Sequence, residues 1–243
     1  MVHFVVPFYN NEKNLENNVL VLSKFLASHL KEDYEIVLSN DGSQDQSLEI
    51  AHRLAESTPK VRVVSYSRNR GRGYAIKHAA ASCRGEFLIY ADLDFPQTTR
   101  LERILSMLEC LREKRLVVGS RFLQNSRTQR IWLRKYVGIA HRLMVKIIFS
   151  GLKVKDPDAG FKGFALPALR KMIALSRMDR WSWDLEMLVI AWRNGLSIAE
   201  IPIDWNEKYE KYVSSARLLR DAWEELRGMI RIKRNYVKGF YDF

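Results

Sequence analysis

The sequence predicts an α/β fold: a mostly parallel sheet with helices on both faces, followed by basic amphipathic helices toward the C-terminus. Three observations predict it. Apolar runs of strand length alternate with amphipathic runs of helix length through the first half. Four polar turns each follow an apolar run, as the turns at the carboxyl edge of a parallel sheet do. Hydrophobic residues make up 47% of the 243, enough for a sizeable core and too many for a disordered chain.

In order, the strand candidates are Val2 to Val6, Tyr34 to Leu38, Val61 to Tyr66, Glu86 to Ala91 and Leu116 to Gly119. Helical patterns lie near Glu12 to Leu30, Gln46 to Ser57, Gly73 to Ser82 and Thr99 to Lys114. The second half reads differently. Ile131 to Leu152 suits a long basic amphipathic helix, Lys155 to Lys162 a loop, and Trp181 to Glu186 the opening of another helix. Ile198 to Trp205 suits a strand, and Ser214 to Lys238 a closing basic helix. No repeat, low-complexity tract or Gly/Ser linker interrupts the chain. The expectation is one continuous domain over 1–243.

The net charge of +12 implies an anionic partner: nucleic acid, an anionic membrane surface or a phosphorylated substrate. Cys83 and Cys110 have neither metal-ligand spacing nor a disulfide framework, which fits a reducing compartment. No basic region followed by an apolar stretch opens the chain and no run of about 18 apolar residues exists, so neither a signal peptide nor a spanning helix is expected.

The four turns carry the chemistry. Asp92 and Asp94 sit one residue apart where the Glu86–Ala91 run should end. Hard divalent cations take oxygen ligands, and Mg²⁺ often uses one or two carboxylates with substrate phosphates. A metal–diphosphate site is one reading; capping of the next helix is the other. Asp41, in Asn40-Asp41-Gly42-Ser43, suits either a base or ribose contact or a capping turn. Gly71 and Gly73 let backbone approach a diphosphate, with Arg68, Arg70 and Arg72 adding charge. The third glycine of a dinucleotide fingerprint is missing and the motif follows the third strand, which disfavours an NAD site. Arg121, ending the fifth strand, suits either phosphate, through its bidentate fork, or a surface salt bridge. Trp181 and Trp183 suit a sugar-stacking wall or core, and Asp184 a helix-start carboxylate, a base or a sugar-hydroxyl acceptor. Asp156 and Asp158 suit turn formers beside Pro157. The five histidines form no spaced cluster.

Taken in order, VVPFYNNEKNL, SNDGSQDQS, RNRGRGYAIKHAAASCRGE, YADLD, VVGSRF, KDPDAGFKGF, RWSWDLEML and IAEIPIDWNE resemble a family 2 glycosyltransferase of the GT-A fold. The branch they resemble is the polyprenyl-phosphate hexosyltransferases. NRGRG, ADLD, DPDAGFK, RWSWDLEML and IAEI are similar to the segments of dolichyl-phosphate β-glucosyltransferases. Mannose synthases of this group more often read DADLQHP at the metal strand, where this chain has Tyr90 for the first Asp and Asp94 for the Gln.

The resemblance implies inverting transfer of a hexose, glucose from UDP-glucose in the first place, to a dolichyl or other polyprenyl phosphate, with 1–121 as the nucleotide-sugar-binding half and 122–243 as the acceptor-binding half. It implies Pro7, Tyr9, Glu12, Asp41 and Ala91 at the nucleotide sugar, with Glu12 shifted one place by the extra Asn11. It also implies Asp92 and Asp94 on Mg²⁺ or Mn²⁺, Arg121 at a donor or acceptor phosphate, and Lys208 or Lys211 as the late basic pair. A polyprenyl phosphate is already ionised near neutral pH, its second pKa being about 6, so it needs positioning more than a base. Arg121 and Arg134 would supply that, and Asp184 would orient the sugar. The acceptor lives in a bilayer, so the basic helices, with Ile148 and Phe149 as insertion points, are expected to lie on the cytoplasmic face of a membrane. The alternatives are GDP-mannose or another donor, a non-lipid acceptor and, from charge alone, a basic nucleic-acid-binding module, for which no motif is present.

Overall fold

In the computed structural model, residues 1–129, 132–206 and 215–243 are described. The order is β1 (Val2–Phe8), α1 (Leu15–His29), β2 (Tyr34–Asp41), α2 (Ser47–Ser57), β3 (Val61–Tyr66), α3 (Arg72–Ser82), β4 (Phe87–Ala91), α4 (Phe95–Thr98), α5 (Arg103–Glu113) and β5 (Leu116–Ser120). It continues with β6 (Thr128–Gln129), α6 (Trp132–Ile148), β7 (Phe161–Ala165), α7 (Leu166–Leu175), α8 (Trp183–Arg193), β8 (Ile198–Pro202), β9 (Trp205–Asn206) and α9 (Ser215–Val237).

The main sheet runs β3-β2-β1-β4-β7-β5-β8, every pairing parallel except the two made by β7. Strand alternation sorts the core into two layers. Val5, Val37, Leu88, Tyr90 and Val118 face one layer, closed by α3, α6, α7, α8 and α9. Phe4, Val6, Ile36, Ile89 and Val117 face the other, under α1, α2 and α5. β1, β2, β3, β4 and β5 all end at the same edge, so the polar turns converge there.

Three expectations are corrected. The run 155–162 is not all loop: Phe161 and Lys162 begin β7, which enters the sheet antiparallel between β4 and β5 and joins the two halves of the chain in one sheet. A short segment holding Lys162 and Gly163 lacks the strand-forming composition that would announce it. The single strand from Ile198 to Trp205 is two strands. Pro202 has no N–H to donate, and the Trp205 amide turns to the Arg127 carbonyl at 2.9 Å. Phe149 is not available for insertion into a bilayer: it is 1% exposed, within the core, with the Lys233 ammonium over its ring at 5.6 Å. Its neighbour Ile148 packs against the same core. Large apolar residues that α6 exposes instead include Tyr136, Ile139, Leu143 and Ile147. No helix among the described residues is long and apolar enough to cross a membrane.

Candidate active site

The turn after β2 is organised by two neighbours with different tasks. Asn40 Oδ1 accepts from the Ser43 amide at 3.0 Å and closes the turn itself. Asp41 reaches sideways instead. Its carboxylate accepts from the Tyr66 hydroxyl (2.8 Å), Asn69 Nδ2 (2.9 Å) and the backbone amides of Arg70 (2.7 Å) and Gly71 (2.9 Å). Burial and the Asp41 carboxylate together push the Tyr66 phenol well above its ordinary pKa. These bonds fix the loop whose Gly71 has φ of 104°, a conformation that side chains resist. A Cβ there would also meet Arg180 and the Asp179 carbonyl.

That loop delivers Arg72 to the centre of the cleft. Its Nη1 donates to both Asp92 oxygens at 2.9 Å, and Nη2 donates to Asp184. Trp181 stacks on the guanidinium, with 4.6 Å between the Arg72 carbon and the ring centroid. Beneath lies a closed cluster. Asp184 is 1% exposed and also accepts from the Tyr90 hydroxyl and from Lys162 Nζ at 2.7 Å. Lys162, fully buried, also donates to the Ala159 carbonyl at 2.6 Å. Burial opposes the Asp184 charge, but Arg72 and Lys162 outweigh it and hold its pKa below the usual carboxylate range. Gly160 lies directly over Asp92, whose carboxylate fills the space a Cβ would take.

Asp94 is the exception in this crowd. It occupies the N-cap position of α4 yet makes no side-chain capping bond. It has no ion pair with a described residue. Burial, and then the neighbouring Asp92 charge, push its pKa up to about 6. The capping alternative for this carboxylate therefore does not describe the structure. Among the described residues no group of three or more His, Cys, Asp or Glu side chains could hold a metal. Two carboxylates at a strand end, one without a cation, instead suit a divalent ion that shares its shell with a diphosphate.

The sequence profile of Glycosyl transferase family 2 matches residues 3–174, which includes β1 to β5 and every carboxylate of the cleft except Asp184. The chain belongs to glycosyl transferase family 2. It is 30% identical over 246 residues to a dolichyl-phosphate beta-glucosyltransferase of Trichomonas vaginalis, covering 97% of this chain and 69% of that one. It is 33% identical over 217 residues to the Homo sapiens dolichyl-phosphate beta-glucosyltransferase, covering 84% of this chain and 66% of that one. The fold matches the UDP complex of glucosyl-3-phosphoglycerate synthase from Mycobacterium tuberculosis with a TM-score of 0.74 at 17% identity, over 96% of this chain and 80% of that one.

In this family 2 glycosyltransferase the remaining site residues fall as follows. Pro7 and Ala91 are buried at the ends of β1 and β4, while Tyr9 and Glu12 are exposed on the turn after β1. Glu12 accepts from the Gln46 amide at 3.2 Å, tying that turn to the start of α2. Arg121 forms neither a surface salt bridge nor a free phosphate fork. Nε and Nη2 bind Asp156 at 2.8 Å each, and its backbone amide binds the same carboxylate at 2.8 Å. Asp156 is thus an ion-pair partner rather than only a turn former. Burial disfavours its charge, but Arg121 more than compensates and lowers its pKa. Trp183 is core, whereas Trp181 is 54% exposed. The Arg134 side chain, and Lys208 and Lys211 altogether, lie outside the described residues.

Sequence reasoning missed Tyr90, Lys162 and Asp156 as partners in this network. A signal existed for one of them: Lys162 is a lone charge inside an otherwise apolar run, and such a lysine is tolerated only when paired.

Proposed function

We propose that the enzyme transfers glucose from UDP-glucose to a polyprenyl phosphate, using Mg²⁺ or Mn²⁺, at the cytoplasmic face of a membrane. The observation that carries this reading is the Asp92–Asp94 pair beside Arg72, in a chain whose relatives are named dolichyl-phosphate beta-glucosyltransferases. The M. tuberculosis synthase of the same fold, solved with Mn²⁺ and UDP-glucose, supports the choice of donor and metal.

Asp92 and Asp94 would hold the cation; when bound, it stabilises negative charge developing on the departing diphosphate. Pro7, Tyr9, Glu12, Asp41 and Ala91 line the nucleotide side. Asp41 acts largely by fixing the 69–71 loop, because its oxygens already accept protein donors. Arg72, held by Asp92 and Asp184, presents a fixed positive charge to the diphosphate. Asp184, ionised and sealed by three partners, orients Arg72 and takes no proton from the acceptor. The acceptor phosphate supplies its own nucleophilic oxygen and meets Arg121, whose Nη1 has no hydrogen bond to a described residue; Arg134, whose side chain lies outside the described residues, would add a second cation by family resemblance. Lys208 or Lys211, outside the described residues, would add a further positive charge by family resemblance.

The membrane contact of this reading runs through α6 and α9. Tyr136, Ile139, Leu143 and Ile147 on α6 and Trp223, Ile230 and Val237 on α9 are exposed apolar side chains. Lys146, Arg227, Arg231 and Arg234 are exposed beside them. Apolar residues with flanking cations suit the interface of an anionic bilayer, where each basic residue contributes on the order of 1 kcal/mol.

The test is a donor screen with a short polyprenyl phosphate and either metal. Turnover of UDP-glucose, abolished by chelation, is expected. Preference for GDP-mannose or UDP-N-acetylglucosamine, or undiminished turnover in chelator, would overturn the donor or the metal part respectively.

A further inference from the structure

We propose that Trp181 is the platform on which the donor's hexose ring rests, and so a residue that selects the sugar rather than the nucleotide. The proposal rests on the UDP-glucose reading of the cleft. Its basis is an asymmetry between two tryptophans two residues apart. Trp183 is fully buried in the core, and its Cβ and ring carbon occupy the space that a side chain on Gly73 would need. Trp181 stands just before α8, 54% exposed, although an indole is among the side chains that gain most from burial.

Its position is what gives the exposure meaning. One face of the indole is engaged by the Arg72 guanidinium, and the same guanidinium grips Asp92 at 2.9 Å. Trp181 is therefore one guanidinium away from the carboxylate assigned to the cation that meets the donor's diphosphate. Its partner Arg72 is anchored below by Asp184 and held by the Asp41-fixed loop, so the stack is rigid. A hexose attached to that diphosphate presents an apolar face of C–H groups. Burying that face on a pre-set indole removes apolar surface of both partners from water, without demanding a hydrogen bond from either.

The test separates sugar from nucleotide. UDP and UDP-glucose binding are measured by calorimetry, in the presence of Mn²⁺, for the wild type, Trp181→Phe and Trp181→Ala. UDP affinity should stay within about twofold across all three. UDP-glucose affinity should fall about tenfold in Trp181→Ala and much less in Trp181→Phe, which keeps a ring for both sugar and Arg72. In turnover, Trp181→Ala should raise the KM for UDP-glucose and leave the KM for the polyprenyl phosphate unchanged. Equal weakening of UDP and UDP-glucose would make Trp181 a support for Arg72, and overturn the proposal. Unchanged binding of both, or an effect confined to the lipid acceptor, would overturn it as well. A wild type that binds neither ligand would sink the donor reading itself, and the platform with it.

Discussion

Asp94 and Asp184 belong to the same cleft and meet opposite surroundings. Asp184 is buried and surrounded by Arg72, Lys162 and Tyr90, and its pKa is lowered. Asp94 is half-buried beside another carboxylate, has no ion pair with a described residue, and has its pKa raised to about 6. Burial acts against charge in both; the difference is whether the fold supplies the counter-charge. The lower cluster is complete without any ligand and serves as a foundation. In the upper pair Asp92 already holds Arg72, and it is Asp94 that is left for something positive from outside, which is the character of a binding site.

The largest effect should come from breaking the foundation. Lys162→Met leaves a buried carboxylate short of a partner, and removing one member of a buried pair typically costs about 3–5 kcal/mol. Urea denaturation should show a loss near the lower end, since Arg72 and Tyr90 still hold Asp184. A loss below about 1 kcal/mol would mean that the lysine is not needed to keep Asp184 ionised.

Asp94→Asn should behave in the opposite way. Turnover should fall by about 100-fold or more, equivalent to about 2.7 kcal/mol of transition-state stabilisation. Stability should rise. The folded pKa lies above the ordinary value of 3.8, so the folded state keeps a proton that the unfolded chain releases between about pH 4 and 6. Wild-type stability is therefore lost as pH rises through that window, and the loss persists above it. In chelator-containing buffer at pH 7, Asp94→Asn should be more stable by about 1–2 kcal/mol, and the gain should vanish near pH 4. If the variant is destabilised as Lys162→Met is, the contrast between the two carboxylates is wrong.

The same contrast between complete and incomplete surfaces applies to α6. Phe149 is enclosed by the core, whereas Leu143 and Ile147 are exposed. Replacing Leu143 and Ile147 with Ser should reduce co-sedimentation with anionic liposomes several-fold, with stability changed by no more than about 0.5 kcal/mol per site. Retained liposome binding in this double variant would remove α6 from the membrane contact.

The fold was largely readable because periodicity is local. The first five strands and the polar turns after four of them follow from alternation and from Gly, Asn and Asp at turn positions, with boundaries shifted by up to three residues. β7 was not readable, because its place between β4 and β5 is stabilised by partners distant in sequence: Phe161 pairs with Ala91, and Lys162 with Tyr90 and Val118. The same limit applies to the site. Asp92, Asp94, Asp41 and Arg72 could be found as chemistry-bearing residues at strand ends. That Arg72 bridges Asp92 and Asp184, that Asp156 claims Arg121, and that Trp181 is exposed while Trp183 is buried could not.

The sequence by itself determined the α/β architecture, the family and the edge of the sheet at which the chemistry sits, because each is written in short-range patterns or ordered motifs. Only the tertiary structure decided which charges are spent on one another and which remain for a ligand. That is a question of distances of a few ångströms between residues up to 112 positions apart, and of how much water is left around them.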